Sequence, residues 1–195
     1  MKIALDFDGV LSHTMKSWVR ICNGLNNNVK PLTMRDIDVY EFFKKWDMTL
    51  KECFEIFDIA WSEWETLEPL EQDIGQKTHI LCNLGKTDIV TNVTKKWQES
   101  IRMWLKRQEV EYSELVFSRD KWELNYDVYI DDAAHNAERI VEAGNICLLY
   151  NQPWNRHIVT NYGYGYDGHG KIYRIYSLYH AIDVIKDLMK SKSLL

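Results

Sequence analysis

The chain has 195 residues, 46% of them hydrophobic, and a formal net charge of -5; that suits one well-packed domain with a small insert and excludes a general nucleic-acid binder, which needs a basic face. Cys22, Cys53, Cys82 and Cys147 contain no Cys-x-x-Cys pair, so neither a zinc site nor a disulfide framework is encoded. No apolar run approaches the roughly 18 residues of a membrane span, and the expectation is a soluble cytoplasmic protein without membrane contact, its thiols free in a reducing compartment. Nothing in the pattern sets an oligomeric state.

The first element is a buried strand, Lys2-Ile3-Ala4-Leu5, which runs into Asp6-Phe7-Asp8 before Gly9 releases the chain. Strand alternation puts Asp6 and Asp8 on one side, roughly 6 to 7 Å apart. Two carboxylates repel by about 4 kcal/mol at ~4 Å and an effective dielectric of ~20, so such a pair calls for a cation or a shared proton.

Apolar residues then recur at Met15, Trp18, Val19, Cys22 and Leu25, a helical stripe ending at Asn26-Asn27-Asn28 and Pro31. After an aromatic stretch from Asp36 to Trp46, the spacing of Thr49 and Glu52 predicts a capping box opening a second helix with Phe54, Phe57, Trp61 and Trp64. The pattern lapses at Pro69, and residues 12–70 read as a small helical cap inserted after the first strand of a core formed by 1–11 and 71–195.

Beyond the insert, helix and strand alternate. Ile74 to Leu84 is a helix stopped at Gly85, Asp88 to Asn92 a strand with a polar end, and Trp97 to Leu105 a long helix. Strands follow at Leu115 to Phe117, Tyr126 to Ile130 and Ile146 to Tyr150, the second running into Asp131-Asp132 and a helix closed at Gly144. Asn161 to Gly170 reads as a loop, Arg174-Ile175 as an edge strand, Ile182 to Met189 as a closing helix and the tail from Lys190 as frayed. Such alternation specifies an α/β fold, a Rossmann-like parallel sheet flanked by helices, with ligands beyond the carboxyl ends of the strands.

Four sites line up in order: Asp6 with Asp8, Thr91 with Asn92, Lys121, and Asp131 with Asp132. In this order and strand context the chain resembles the haloacid dehalogenase-like (HAD) phosphohydrolases over about residues 1–150. Within that superfamily it is similar to the 5'(3')-deoxyribonucleotidases, through Asp6 to Leu11, Leu67 to Leu70, Ser118 to Lys121, Asp127 to Asp132 and Asn151 to Asn155.

The resemblance implies a Mg2+-dependent phosphatase acting on small phosphomonoesters, above all (deoxy)ribonucleoside monophosphates, through an aspartyl-phosphate. Asp6 would be the nucleophile and Asp8 the acid and base, kept neutral in the first step by its acidic neighbours. Thr91, Asn92 and Lys121 would bind the phosphate, and Asp6, the Asp8 carbonyl, Asp131 and Asp132 would hold Mg2+, a hard ion suited to oxygen ligands. Two other readings stay open: a phosphatase of sugar phosphates or oligonucleotide termini, and a nucleotide-binding protein that keeps the fold without turnover. Of the aromatics in the insert, Trp18, Phe42, Phe43, Trp46, Trp61 and Trp64, most are expected in the core and one or two in the pocket. His13 and His135 lie near the motifs, and Lys95, Lys96, Arg102, Lys106 and Arg107 form a solvated helix face.

Overall fold

The computed structural model describes residues 1–25, 30–158 and 171–192. The turn expected at Asn26-Asn27-Asn28 and the loop at Asn161 to Gly170 lie outside those residues. Six parallel strands form one sheet: β1 (Lys2–Leu5), β2 (Lys86–Thr91), β3 (Leu115–Phe117), β4 (Val128–Asp131), β5 (Ile146–Tyr150) and β6 (Lys171–Ile175), in the order β3-β2-β1-β4-β5-β6. The helices are α1 (Thr14–Leu25), α2 (Leu50–Ser62), α3 (Ile74–Leu84), α4 (Gln98–Arg107), α5 (Ala134–Glu142) and α6 (Leu178–Lys192).

Strand alternation divides the core. Ile3, Leu5, Ile89, Val128, Ile130 and Leu148 face a large cluster that also takes Leu81, Trp104 and Ile182 from α3, α4 and α6. Ala4, Val90, Tyr129, Cys147 and Leu149 face a smaller one with Ala137 and Ile140 of α5. The four central strands are thus buried on both sides, while the edge strands β3 and β6 are mostly half-buried. Several boundaries differ from expectation: β6 begins at Lys171 instead of Arg174, because Lys171, Ile172 and Tyr173 pair with Ile146, Cys147 and Leu148 of β5, and α6 begins at Leu178 instead of Ile182. β2 begins at Lys86 because Lys86 and Thr87 pair with Lys2 and Ile3 of β1. β4 begins only at Val128, since the Tyr126 amide turns back to the Leu124 carbonyl (3.3 Å). α6 continues past Lys190 to Lys192, helped by Ser191, whose hydroxyl donates to the Asp187 carbonyl (2.7 Å).

From β1 the chain proceeds outward through β2 and β3, then returns to lay β4 on the other side of β1 and continues through β5 to β6. The order reverses between β1 and β4, and there the crossovers leave a crevice beyond the strand ends. Asp6 and Asp131 stand on the two sides of it.

Between β1 and α3, helices α1 and α2 pack together. Trp18 of α1 meets Phe42 edge-on (4.8 Å between ring centres), and its indole donates to the Cys53 carbonyl of α2 (3.0 Å). The capping box closes as expected: the Thr49 hydroxyl accepts from the Glu52 amide and the Glu52 carboxylate accepts from the Thr49 amide, a device worth about 1 kcal/mol. The two ends of this stretch run side by side. The His13 amide donates to the Glu68 carbonyl and the Leu70 amide to the Leu11 carbonyl, each at 2.8 Å.

Candidate active site

The Asp6 amide donates to the Ile130 carbonyl (3.0 Å), so β1 and β4 stay zipped to the point where both end in carboxylates. Lys121, in a short helical turn at 121–123 after β3, enters from the side. Its Nζ lies 2.6 Å from Asp6 Oδ2 and 2.8 Å from Asp131 Oδ2, and the residue is only 2% exposed. A buried ammonium is tolerated only when paired like this. Asp132 completes a buried group in which one oxygen from each of Asp6, Asp131 and Asp132 lies within 4.8 Å of the others.

The charges do not balance. Three carboxylates face one ammonium, and two negative charges are left over. Burial, opposed by Lys121, pushes Asp6 up to about 8. Burial and the nearby Asp6 and Asp131 carry Asp132 well above the usual carboxylate range. Burial would lift Asp131 too, but Lys121 and the bonds from the Ala133 amide (2.9 Å) and Asn136 (3.1 Å) outweigh it and keep Asp131 low. Burial also disfavours the charged Lys121, yet Asp131 and Asp6 hold it firmly protonated.

Asp8 stands apart. Its Oδ1 accepts from the Trp61 indole (3.2 Å), from the Thr14 hydroxyl and, at 3.4 Å, from Ser12. Burial lifts its pKa against these three donors and Lys121, so the lift comes from desolvation ahead of any acidic neighbour, contrary to the expectation. Gly9, at φ +73°, lets the chain turn where no side chain fits: a Cβ there would sit 2.2 Å from Asp132 Oδ2.

Asp6, Asp8, Thr91, Asn92, Lys121 and Asp132 all line one cleft, with Asp131 behind Lys121. Thr91 Oγ1 accepts from the Val93 amide (3.2 Å), which leaves its O–H free to donate into the cleft. Of the six aromatics singled out, Phe42, Phe43 and Trp61 line the cleft; Trp18, Trp46 and Trp64 do not. Tyr40, Phe54 and Phe57 join them, with Phe57 stacked on Trp61 (5.5 Å, 20°). His135 lines the cleft edge-on to Tyr40 (4.6 Å), whereas His13 faces a separate groove with Lys16 and Glu68.

Several supporting residues have no role that the sequence alone assigns. The Trp154 indole donates to Asp132 Oδ2 (2.9 Å), Asn155 to the Asp132 carbonyl (2.8 Å) and Gln152 to the Gly9 carbonyl (2.7 Å). Asn151 to Asn155 was already part of the resemblance, and its polar residues after a buried strand were the available signal. Asn136 carried no signal, because an amide in a helix declares nothing until its partner is known.

The family model described as 5' nucleotidase, deoxy (pyrimidine), cytosolic type C protein matches residues 1–165. The chain belongs to this nucleotidase family. A nucleotidase of Clostridium acetobutylicum is 22% identical over 196 residues, which cover 93% of this chain and 98% of that protein. Among solved structures, Protein Tyrosine Kinase A of Mycobacterium tuberculosis superimposes with a TM-score of 0.64 at 11% identity, over 94% of this chain and 97% of the other. A HAD-superfamily hydrolase of subfamily IA from Geobacter sulfurreducens gives 0.59 at 12% identity, over 94% and 95%. At such identities these two carry the fold alone, a HAD-type α/β sheet. This nucleotidase is therefore a phosphoric monoester hydrolase of the HAD fold whose substrate is a small phosphomonoester. Among the described residues no helix is long and apolar enough to cross a membrane.

Proposed function

We propose that the chain is a Mg2+-dependent phosphatase of (deoxy)ribonucleoside monophosphates that works through an aspartyl-phosphate on Asp6, with residues 12–70 as a cap over a core of 1–11 and 71–195. The observation that carries the reading is the Asp6–Lys121–Asp131 bridge beside Asp132, a buried carboxylate cluster two positive charges short of balance. A divalent cation supplies what is missing, and the donors, all carboxylate or carbonyl oxygens, suit Mg2+. Asp6, Asp131 and the Asp8 carbonyl would hold it, with Asp132 acting directly or through water; when bound it adds positive charge beside the phosphoryl oxygens.

The chain's own groups account for the rest. Lys121 and the Thr91 hydroxyl neutralise and orient the phosphate, with Asn92 at the rim, so that the Asp6 carboxylate approaches phosphorus against a screened charge. As the Asp6 oxygen bonds to phosphorus, the bond to the leaving oxygen breaks and Asp8 gives that oxygen its proton. Water then attacks the phosphorus of the aspartyl-phosphate, Asp8 takes the water's proton, and Asp6 and inorganic phosphate separate. The apolar end of the cleft, with Phe42, Phe43, Phe54, Phe57 and Trp61, suits a flat base.

The test is phosphate release from a panel of nucleoside monophosphates and sugar phosphates, with and without Mg2+, beside Asp6→Asn. Release that needs Mg2+, favours nucleotides and vanishes in the variant is expected. Faster release from sugar phosphates would overturn the substrate assignment, and release that survives in Asp6→Asn would overturn the mechanism.

A further inference from the structure

We infer that Trp61 is a positioning residue that fixes which oxygen of Asp8 carries the catalytic proton; this rests on the proposed role of Asp8 as acid and base. Among the described residues, every hydrogen bond to the Asp8 side chain falls on one atom, Oδ1, and the donors are of two kinds. Thr14 and Ser12 are hydroxyls, linked to each other at 2.5 Å, and a hydroxyl chain has no fixed direction. It runs from Ser12 through Thr14 to a carboxylate oxygen as readily as it runs back from a carboxylic acid proton. Trp61 differs, because an indole N–H donates and never accepts.

With that N–H held 3.2 Å from Oδ1, a hydroxyl at Oδ1 would have to send its proton to Thr14 and accept from the indole through its one weaker lone pair, whereas an unprotonated Oδ1 accepts the N–H at full strength. Trp61 therefore sets the polarity of the whole network. Oδ1 stays an acceptor, the chain is aligned from Ser12 through Thr14 toward it, and the acid proton resides on Oδ2, the oxygen left free on a side chain that lines the cleft. When the leaving oxygen departs from phosphorus, the proton passes to it from Oδ2, and Asp8 is left as a carboxylate whose Oδ1 is already solvated by the Trp61 N–H and the Thr14 hydroxyl. The return proton from water comes back to Oδ2.

The placement of Trp61 makes this more than a local contact. It lies on α2, 53 residues away from Asp8 in sequence, is 4% exposed, and is stacked on Phe57 in the apolar wall of the cleft. The same ring that flanks the leaving group thus orients the acid that protonates it. An α2 displaced from its observed seat leaves Asp8 with a network free to reverse.

Trp61→Phe keeps an aromatic ring against Phe57 and deletes the N–H; Trp61→3-benzothienylalanine keeps the whole bicyclic shape and deletes it too. Both are assayed with Mg2+ on two substrates. A nucleoside monophosphate has a poor leaving group that must be protonated, whereas p-nitrophenyl phosphate leaves without help. A general acid is worth about 10²–10⁴-fold, so a mispositioned one should cost about tenfold or more in kcat on the nucleotide and less than about twofold on the nitrophenyl ester. In an Asp8→Asn background the Trp61 change should have no further selective effect. Equal losses on both substrates, or none on either, would overturn the inference, the first by making Trp61 merely structural. Failure of the unaltered protein to release phosphate from either ester would instead remove the underlying phosphatase reading, an outcome visible before any variant is made.

Discussion

The two ends of the cleft are built on opposite principles. At the phosphate end, charged groups from three distant segments converge beyond the strands, each buried and each fixed by named hydrogen bonds. At the other end, neighbouring turns of one helix and the 42–46 turn supply rings held by packing. Removing a polar group from the first leaves a buried charge exposed to its own desolvation cost, whereas trimming a ring from the second leaves only a smaller wall. The phosphate end should therefore govern kcat and folding, and the apolar end should govern substrate affinity.

The sharpest way to break that contrast is Lys121→Met. It leaves Asp6 and Asp131 facing each other without their shared cation, and breaking a buried pair costs about 3–5 kcal/mol. Urea unfolding without Mg2+ should show a loss of that size, and phosphate release should be abolished. A variant as stable as the parent would mean that the lysine is not the counter-ion the geometry makes it. At the apolar end, Phe57→Leu removes the ring stacked on Trp61. A base–aromatic contact is worth about 1–3 kcal/mol, so KM for nucleoside monophosphates should rise by about 5- to 150-fold with kcat little changed. A fall in kcat at unchanged KM would erase the division between the ends.

The charge imbalance also has a pH signature. Asp6, lifted from 3.8 to about 8, and Asp132, lifted too, bind protons more tightly in the folded state than in the unfolded chain. Stability from these groups is therefore full below about pH 4 and is lost as pH rises toward about 8, while Asp131, held low by Lys121, works in the opposite sense at the acid end. Metal-free protein should melt several degrees lower at pH 8 than at pH 5, and added Mg2+ should restore more at pH 8. Equal Mg2+ effects at both values would contradict the imbalance. The smallest effect is expected where α2 meets the turn at 95–97. Asp58 of α2 accepts from Lys96 and from the Trp97 indole, both at 2.6 Å. The pair is half-exposed, so Asp58→Ala should cost about 1 kcal/mol or less by thermal unfolding; a cost above about 3 kcal/mol would make it a principal tether.

The same contrast explains what was legible in the sequence. The acids after β1 and β4 stood out because a carboxylate at the end of an apolar strand has no cheap structural reason to be there. Their order with Thr91 and Lys121 carried the family resemblance. Lys121 itself sits in a short turn that no periodicity marks, and its meaning came from order alone. The aromatics were ambiguous for a physical reason: Trp18 in the core and Trp61 in the cleft wall obey the same helical spacing, and only the packing of α1 on α2 decides which ring sees the cleft. Trp154 and Asn136 act through bonds to Asp132 and Asp131, contacts that no single residue announces. Strand ends slipped by about two residues at β2 and β4, where pairing with β1 and the turn at Tyr126 overrode the local apolar run.

The proposed mechanism requires Asp6 to take the phosphoryl group. Turnover of a nucleoside monophosphate labelled in its phosphate, stopped by acid within one reaction cycle and followed by peptide mapping, reads this directly. A labelled acyl phosphate on the peptide carrying Asp6, absent from Asp6→Asn, is the expected result; turnover with no labelled protein, or label on another residue, would contradict it.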